Sequence, residues 1–94
     1  MNTELKFPAF PKEMIEVYTP DQIPRFIKYW VKLVLMGRLG HHRKIHCSAY
    51  RRVDTLSYGI IVFVDNQEFS CELDEDLSDW WPFHSMLIEI DLTI

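Results

Sequence analysis

Ninety-four residues and 11.3 kDa make one domain's worth of chain, read as 1–94, and 48% hydrophobic with 14% aromatic content excludes intrinsic disorder. Three glycines leave no glycine-rich phosphate loop, two cysteines cannot build a disulfide scaffold, and no apolar run approaches the ~18 residues of a membrane span. The net charge of −4 hides a segregation of sign: residues 25–52 hold eight basic and no acidic side chains, whereas residues 53–94 hold ten acidic and no basic ones.

Residues 1–10 read as an extended arm, because Phe7-Pro8 and Phe10-Pro11 each hold the residue before proline out of the helical region. No basic stretch followed by an apolar one occurs in Met1 to Phe10, so no signal peptide is expected, and the expected location is cytoplasmic. Pro11 suits the first position of a short helix reaching Tyr18, where its missing N–H costs nothing.

The next element is clearer. Asp21 is a good N-cap and leaves Pro24 in a first helical turn. Ile23, Phe26, Ile27, Trp30, Val31, Val34 and Leu35 then repeat at helical spacing, which predicts an amphipathic helix from Ile23 to Met36 that stops at Gly37 or Gly40. Its opposite side carries Arg25, Lys28 and Lys32.

After Gly40 the period changes to two. Ile45, Cys47 and Ala49 alternate with His46, Ser48 and Tyr50, the pattern of a half-buried strand. Asp54 to Ser57 form a turn cluster. Tyr58 to Val64 is apolar on both faces, which marks a central strand. Asp65-Asn66 is a tight hairpin signal, and Phe69, Cys71 and Leu73 form the apolar side of a third strand. Asp74 to Ser85 reads as a loop holding at most one helical turn, and Ile88, Ile90, Leu92 and Ile94 alternate with polar residues as a fourth strand. The expected fold is α+β: a two-layer sandwich of one long helix, with a short N-terminal helix besides, on a four-stranded, mainly antiparallel sheet.

Four kinds of chemistry have candidate residues in the sequence. His41, His42, His46 and Cys47 are zinc-ligand types, but His46 and Cys47 fall on opposite faces of one strand and cannot share an ion. No metal and no cofactor is therefore expected, and Cys47 and Cys71 are expected to face the core. His41, His42, Lys44 and His46 contain the ingredients of acid–base cleavage of RNA, without a motif of fixed spacing, so no catalytic residue and no small-molecule substrate is assigned. The basic 25–52 segment, with Tyr29, Trp30 and Tyr50, suggests a nucleic-acid-binding module, against which stands a pI near 5.4. The strongest signal is an acidic, aromatic segment: Glu72, Asp74, Glu75, Asp76 and Asp79, followed by Trp80, Trp81 and Phe83. Carboxylates steer a basic partner and aromatics hold it. Of two adjacent tryptophans, one is expected in the core and the other partly exposed. The pattern suits a small inhibitor of the immunity or antitoxin type whose partner is a basic protein such as a nuclease toxin domain. A phage-encoded inhibitor of a host defence complex would use the same physics, and neither role involves a membrane.

Overall fold

The computed structural model describes residues 18–19, 21–40 and 42–94. The arm expected at 1–10 lies outside them, as does all but the last residue of the short helix expected at 11–18. The described chain runs α1 (Ile23–Leu39), β1 (Ile45–Arg51), β2 (Tyr58–Val64), β3 (Gln67–Leu73) and α2 (Trp81–Thr93). It is an α+β fold of two helices and a three-stranded antiparallel sheet.

Helix α1 follows its apolar stripe. Ile27, Val31 and Leu35, four residues apart, are fully buried, with Trp30 and Val34 packed beside them. Pro24 sits in the first turn, as expected, but the N-cap residue is Gln22 rather than Asp21; its Oε1 accepts the Thr19 N–H at 3.0 Å. Gly37 stays within the helix. Gly40 ends it at φ 89°, a left-handed value that suits glycine, and donates its N–H to the Met36 carbonyl at 3.0 Å.

The strands form a simple meander in the order β1-β2-β3. Asp65 (φ 51°) and Asn66 (φ 74°) make the two-residue turn between β2 and β3, where two consecutive positive φ values match the twist of the flanking strands. The register aligns Cys47 with Val62 and Phe69, and Ala49 with Ile60 and Cys71. These residues, with Tyr58, Val64 and Leu73, form one apolar face, on which α1 covers β1 and α2 packs against β3. The helices meet through aromatic rings: Trp30 lies 5.3 Å from Phe83 and 5.4 Å from Trp80, centroid to centroid.

The fourth strand is corrected: residues 81–93 are helical, and among the described residues the sheet has three strands. Alternation from Ile88 to Ile94 coincides with a second pattern that begins earlier, Phe83, Met86, Leu87 and Ile90, spaced i, i+3, i+4, i+7. These four are buried, whereas Leu92, which a strand would place on the same face as Ile90, is 84% exposed. Pro82 does not block the helix, because it lies in the first turn, where no intrahelical N–H is needed.

Part of the charge segregation is consumed internally. Arg38 of α1 pairs with Asp91 of α2, Arg43 with Asp65 at 2.7 Å, and Arg52 with Glu72 at 3.4 Å. Each joins the basic middle of the chain to its acidic remainder.

Candidate functional site

The acidic, aromatic segment forms the connection from β3 into α2, and its backbone is fixed from within. Leu77 adopts φ 56°, unusual for a branched side chain, and is 2% exposed, so it plugs the loop into the core. Its N–H donates to the Asp74 carbonyl at 3.1 Å, and its own carbonyl accepts the Trp80 Nε1–H at 2.8 Å. Ser78 lies between two carboxylates: its N–H is 3.2 Å from both Asp74 Oδ1 and Asp76 Oδ1, and its hydroxyl is 2.8 Å from Asp76 Oδ1. Those Ser78 bonds hold the Asp76 carboxyl below the usual carboxylate range, so it stays ionised. Asp79 Oδ1 accepts the Trp81 N–H at 3.0 Å, satisfying an otherwise orphan donor and placing negative charge at the positive end of α2.

The two tryptophans separate as the sequence suggests. Trp80 is half-buried, edge-on to Trp30 and to Phe83 at 5.4 and 5.7 Å. Trp81 points the other way and is 60% exposed. Phe83 is a correction: it is fully buried among Trp30, Trp80 and His84, so it supports the surface without belonging to it. Glu72 stands apart from the loop. It is the last-but-one residue of β3, on the sheet face away from the helices, accepts the Ser57 hydroxyl at 2.8 Å and pairs with Arg52. The structure therefore brings together Asp74 and Asp76 around Ser78 and Asp79 with Trp81 at the start of α2, with Trp80 behind them and Glu75 exposed on the same loop.

The remaining candidates disperse. His46 is exposed while Cys47 is 4% exposed beneath α1, so strand alternation sends them to opposite faces. His42 is exposed, and His41 lies outside the described residues. Among the described residues no three His, Cys, Asp or Glu side chains gather closely enough to hold a metal ion. Desolvation pushes the Cys47 thiol up to about 11 and the Cys71 thiol up to about 12, which keeps both protonated and unreactive at neutral pH. His84, one turn into α2, is pushed down by burial, against an opposing pull from the Asp79 charge.

Two further surfaces lie apart from the acidic loop, the first of them already marked in the sequence by the basic 25–52 segment with Tyr29. Tyr29 and Leu33 are exposed on α1 and flank the Arg25, Lys28 and Lys32 stripe. On the sheet, Ile61 and Phe63 of β2 lie on the face that neither helix covers. The signal for the second was present, since β2 is apolar at both parities. No helix among the described residues is long and apolar enough to cross a membrane. No protein-family model, curated protein or solved structure matches the chain. An α+β architecture alone assigns no activity, so the functional reading rests on the surface just described.

Proposed function

We propose that the protein is a small acidic inhibitor that acts by binding, of the immunity or antitoxin kind, and not an enzyme. Its partner is a cognate basic protein, such as a nuclease toxin domain, met in the cytoplasm. The carrying observation is Trp81: a large aromatic, 60% exposed, held on the first turn of a helix whose approach loop is set with carboxylates. An exposed tryptophan on rigid backbone supplies contact area with little ordering cost on binding. Asp74, Asp76 and Asp79 shape the loop and still present negative charge outward, a pattern that mimics the phosphates a nuclease site attracts. An inhibitor of a host defence complex would use the same surface on a different basic partner.

The test separates steering from holding. A partner captured with the full chain and identified by mass spectrometry is titrated against variants by surface plasmon resonance. Asp74→Asn, Glu75→Gln and Asp76→Asn together remove the charge while leaving one amide oxygen at each of positions 74 and 76 to accept from Ser78. Association should slow about tenfold and lose its salt dependence. Trp81→Ala should speed dissociation and cost about 2–4 kcal/mol of affinity. One observation favours a second reading: Arg25, Lys28 and Lys32 are exposed on α1 beside Tyr29 and Leu33, and none of the three is ion-paired among the described residues. If replacing those three by Ala abolishes binding while the acidic-loop variants bind like the parent, the surface is α1. An acidic partner or a nucleic acid, bound through residues 25–52, then replaces the basic one.

A further inference from the structure

Helix α1 turns a second face outward, away from Ile27, Val31 and Leu35, and two rows of side chains run along it. One row is basic: Arg25, Lys28 and Lys32, at spacing i, i+3, i+7, are all exposed, and none is ion-paired among the described residues. The other row is apolar: Tyr29, Leu33 and Met36 at i, i+4, i+7, with Tyr29 64% and Leu33 51% exposed. Lys28 and Lys32 lie toward β1, near enough for their charges to act on the Cys47 thiol. These six residues line an open groove of about 400 Å³, and a second hollow of about 380 Å³ continues it past Arg25 and Tyr29 to Tyr18. At ~1.5 Å per residue, Gln22 to Met36 spans roughly 21 Å, which suits an elongated occupant. Gly37 extends the ridge of Tyr29 and Leu33 by one more turn. It is exposed within regular helix, its φ is not left-handed, and a Cβ built on it meets nothing within 4 Å. Nothing among the described residues calls for glycine there, and alanine is the better helix former. A missing side chain on an outward ridge lets another backbone approach closely.

We propose that this face of α1 is a docking groove for an acidic amphipathic helix of a partner protein. Charge sets the sign of the occupant, because three unpaired cations in one row attract carboxylates. The repeat sets its form. Side chains on one face of a helix recur about every ~5.4 Å and keep step with both rows, whereas like-facing residues of an extended chain recur at ~6.6 Å and fall out of register. Carboxylates one turn apart on the partner meet Arg25, Lys28 and Lys32, its apolar stripe covers Tyr29, Leu33 and Met36, and the two backbones come closest at Gly37. The α1 of a second copy would bring like charges to the groove. A nucleic acid would leave Leu33 and Met36 uncovered, and the net charge of −4 repels a polyanion at long range. The groove lies on α1 and the acidic loop precedes α2, so the two surfaces take partners of opposite charge and neither depends on the other.

Fluorescence anisotropy on the full chain tests it with defined probes. The first is a labelled helical peptide of about 18 residues, with Leu at i, i+4 and i+7 and Glu beside each Leu. It should bind with a dissociation constant of about 10–100 µM that weakens as salt rises. The same peptide with Lys in place of Glu should bind about tenfold more weakly or worse. Arg25→Glu, Lys28→Glu and Lys32→Glu together should invert that preference, which a variant that merely fails to fold cannot do. Gly37→Leu should melt no lower than the parent, because leucine is the better helix former, yet bind the acidic peptide about fivefold more weakly or worse. A parent that binds no acidic peptide up to about 1 mM overturns the proposal, including the case in which residues 1–17 of the same chain hold the groove. A preference that survives the triple exchange, or a Gly37→Leu variant that binds like the parent, overturns it equally. So does tighter binding of a DNA of about 20 nucleotides, or of anionic phospholipid vesicles, than of the acidic peptide.

Discussion

Phe83 and Trp81 are two residues apart at the start of α2, yet they face opposite fates, and a pair of substitutions separates them. Phe83→Leu keeps the site apolar but removes a ring that is fully buried and lies 5.3 Å from Trp30 and 5.7 Å from Trp80. Each aromatic contact contributes about 0.5–1.5 kcal/mol beyond its buried area, and the smaller side chain leaves part of the ring's volume unfilled. The expected loss is about 2–3 kcal/mol, which for a domain of this size lowers the melting temperature by roughly 10–20 °C. Trp81→Ala removes a larger side chain from a largely exposed position and should change stability by no more than about 0.5 kcal/mol. Urea denaturation followed by far-ultraviolet circular dichroism measures both. Equal losses in the two variants would refute the assignment, because Trp81 would then be part of the core. An unchanged midpoint for Phe83→Leu would refute the packing of α2 on α1.

Two further outcomes follow from titratable groups. The Cys47 and Cys71 thiols, raised by desolvation to about 11 and about 12, should react slowly with a thiol reagent in native protein at neutral pH and rapidly after denaturation; a fast native phase would show that one is accessible. His84 is held below its ordinary 6.5 by burial, so the unfolded chain takes up a proton first as pH falls, and stability declines from about pH 7 downward through the folded value. His84→Gln should flatten that decline in melting temperature between about pH 7 and 5, and an unchanged slope would show that His84 ionises equally in both states.

Most of the fold is legible from period and turn chemistry. The α1 stripe, the alternation in β1 and β3 and the Asp65-Asn66 turn all specify local structure strongly, and each forms where expected. The Ile88 to Ile94 segment misleads because two periods are superimposed on it. β-branched residues at alternating positions favour a strand locally, while the helical stripe starting at Phe83 is completed only by packing against β3 and Trp30. The candidate site was half legible. The carboxylates and the opposed tryptophans could be read from the chain, but the burial of Phe83 could not, since it depends on a helix the alternation concealed. Nor does the sequence show that Ser78 and the Trp81 amide engage three of the carboxylates.

The order of elements along the chain bears on how the molecule is assembled. The three strands are neighbours in sequence and pair through short turns, so the meander needs only local contacts. Helix α2 comes last among the described elements and must reach back to α1; the Arg38–Asp91 pair spans 53 positions. Until α2 docks, the apolar side of β3, with Phe69 and Leu73, is uncovered by that helix, and among the described residues β3 is an edge strand of the sheet. A growing chain thus passes through a stage in which a sheet exists but its closing helix does not. That half-covered intermediate is the species most prone to aggregate, and loss of α2 by truncation or proteolysis would make it permanent.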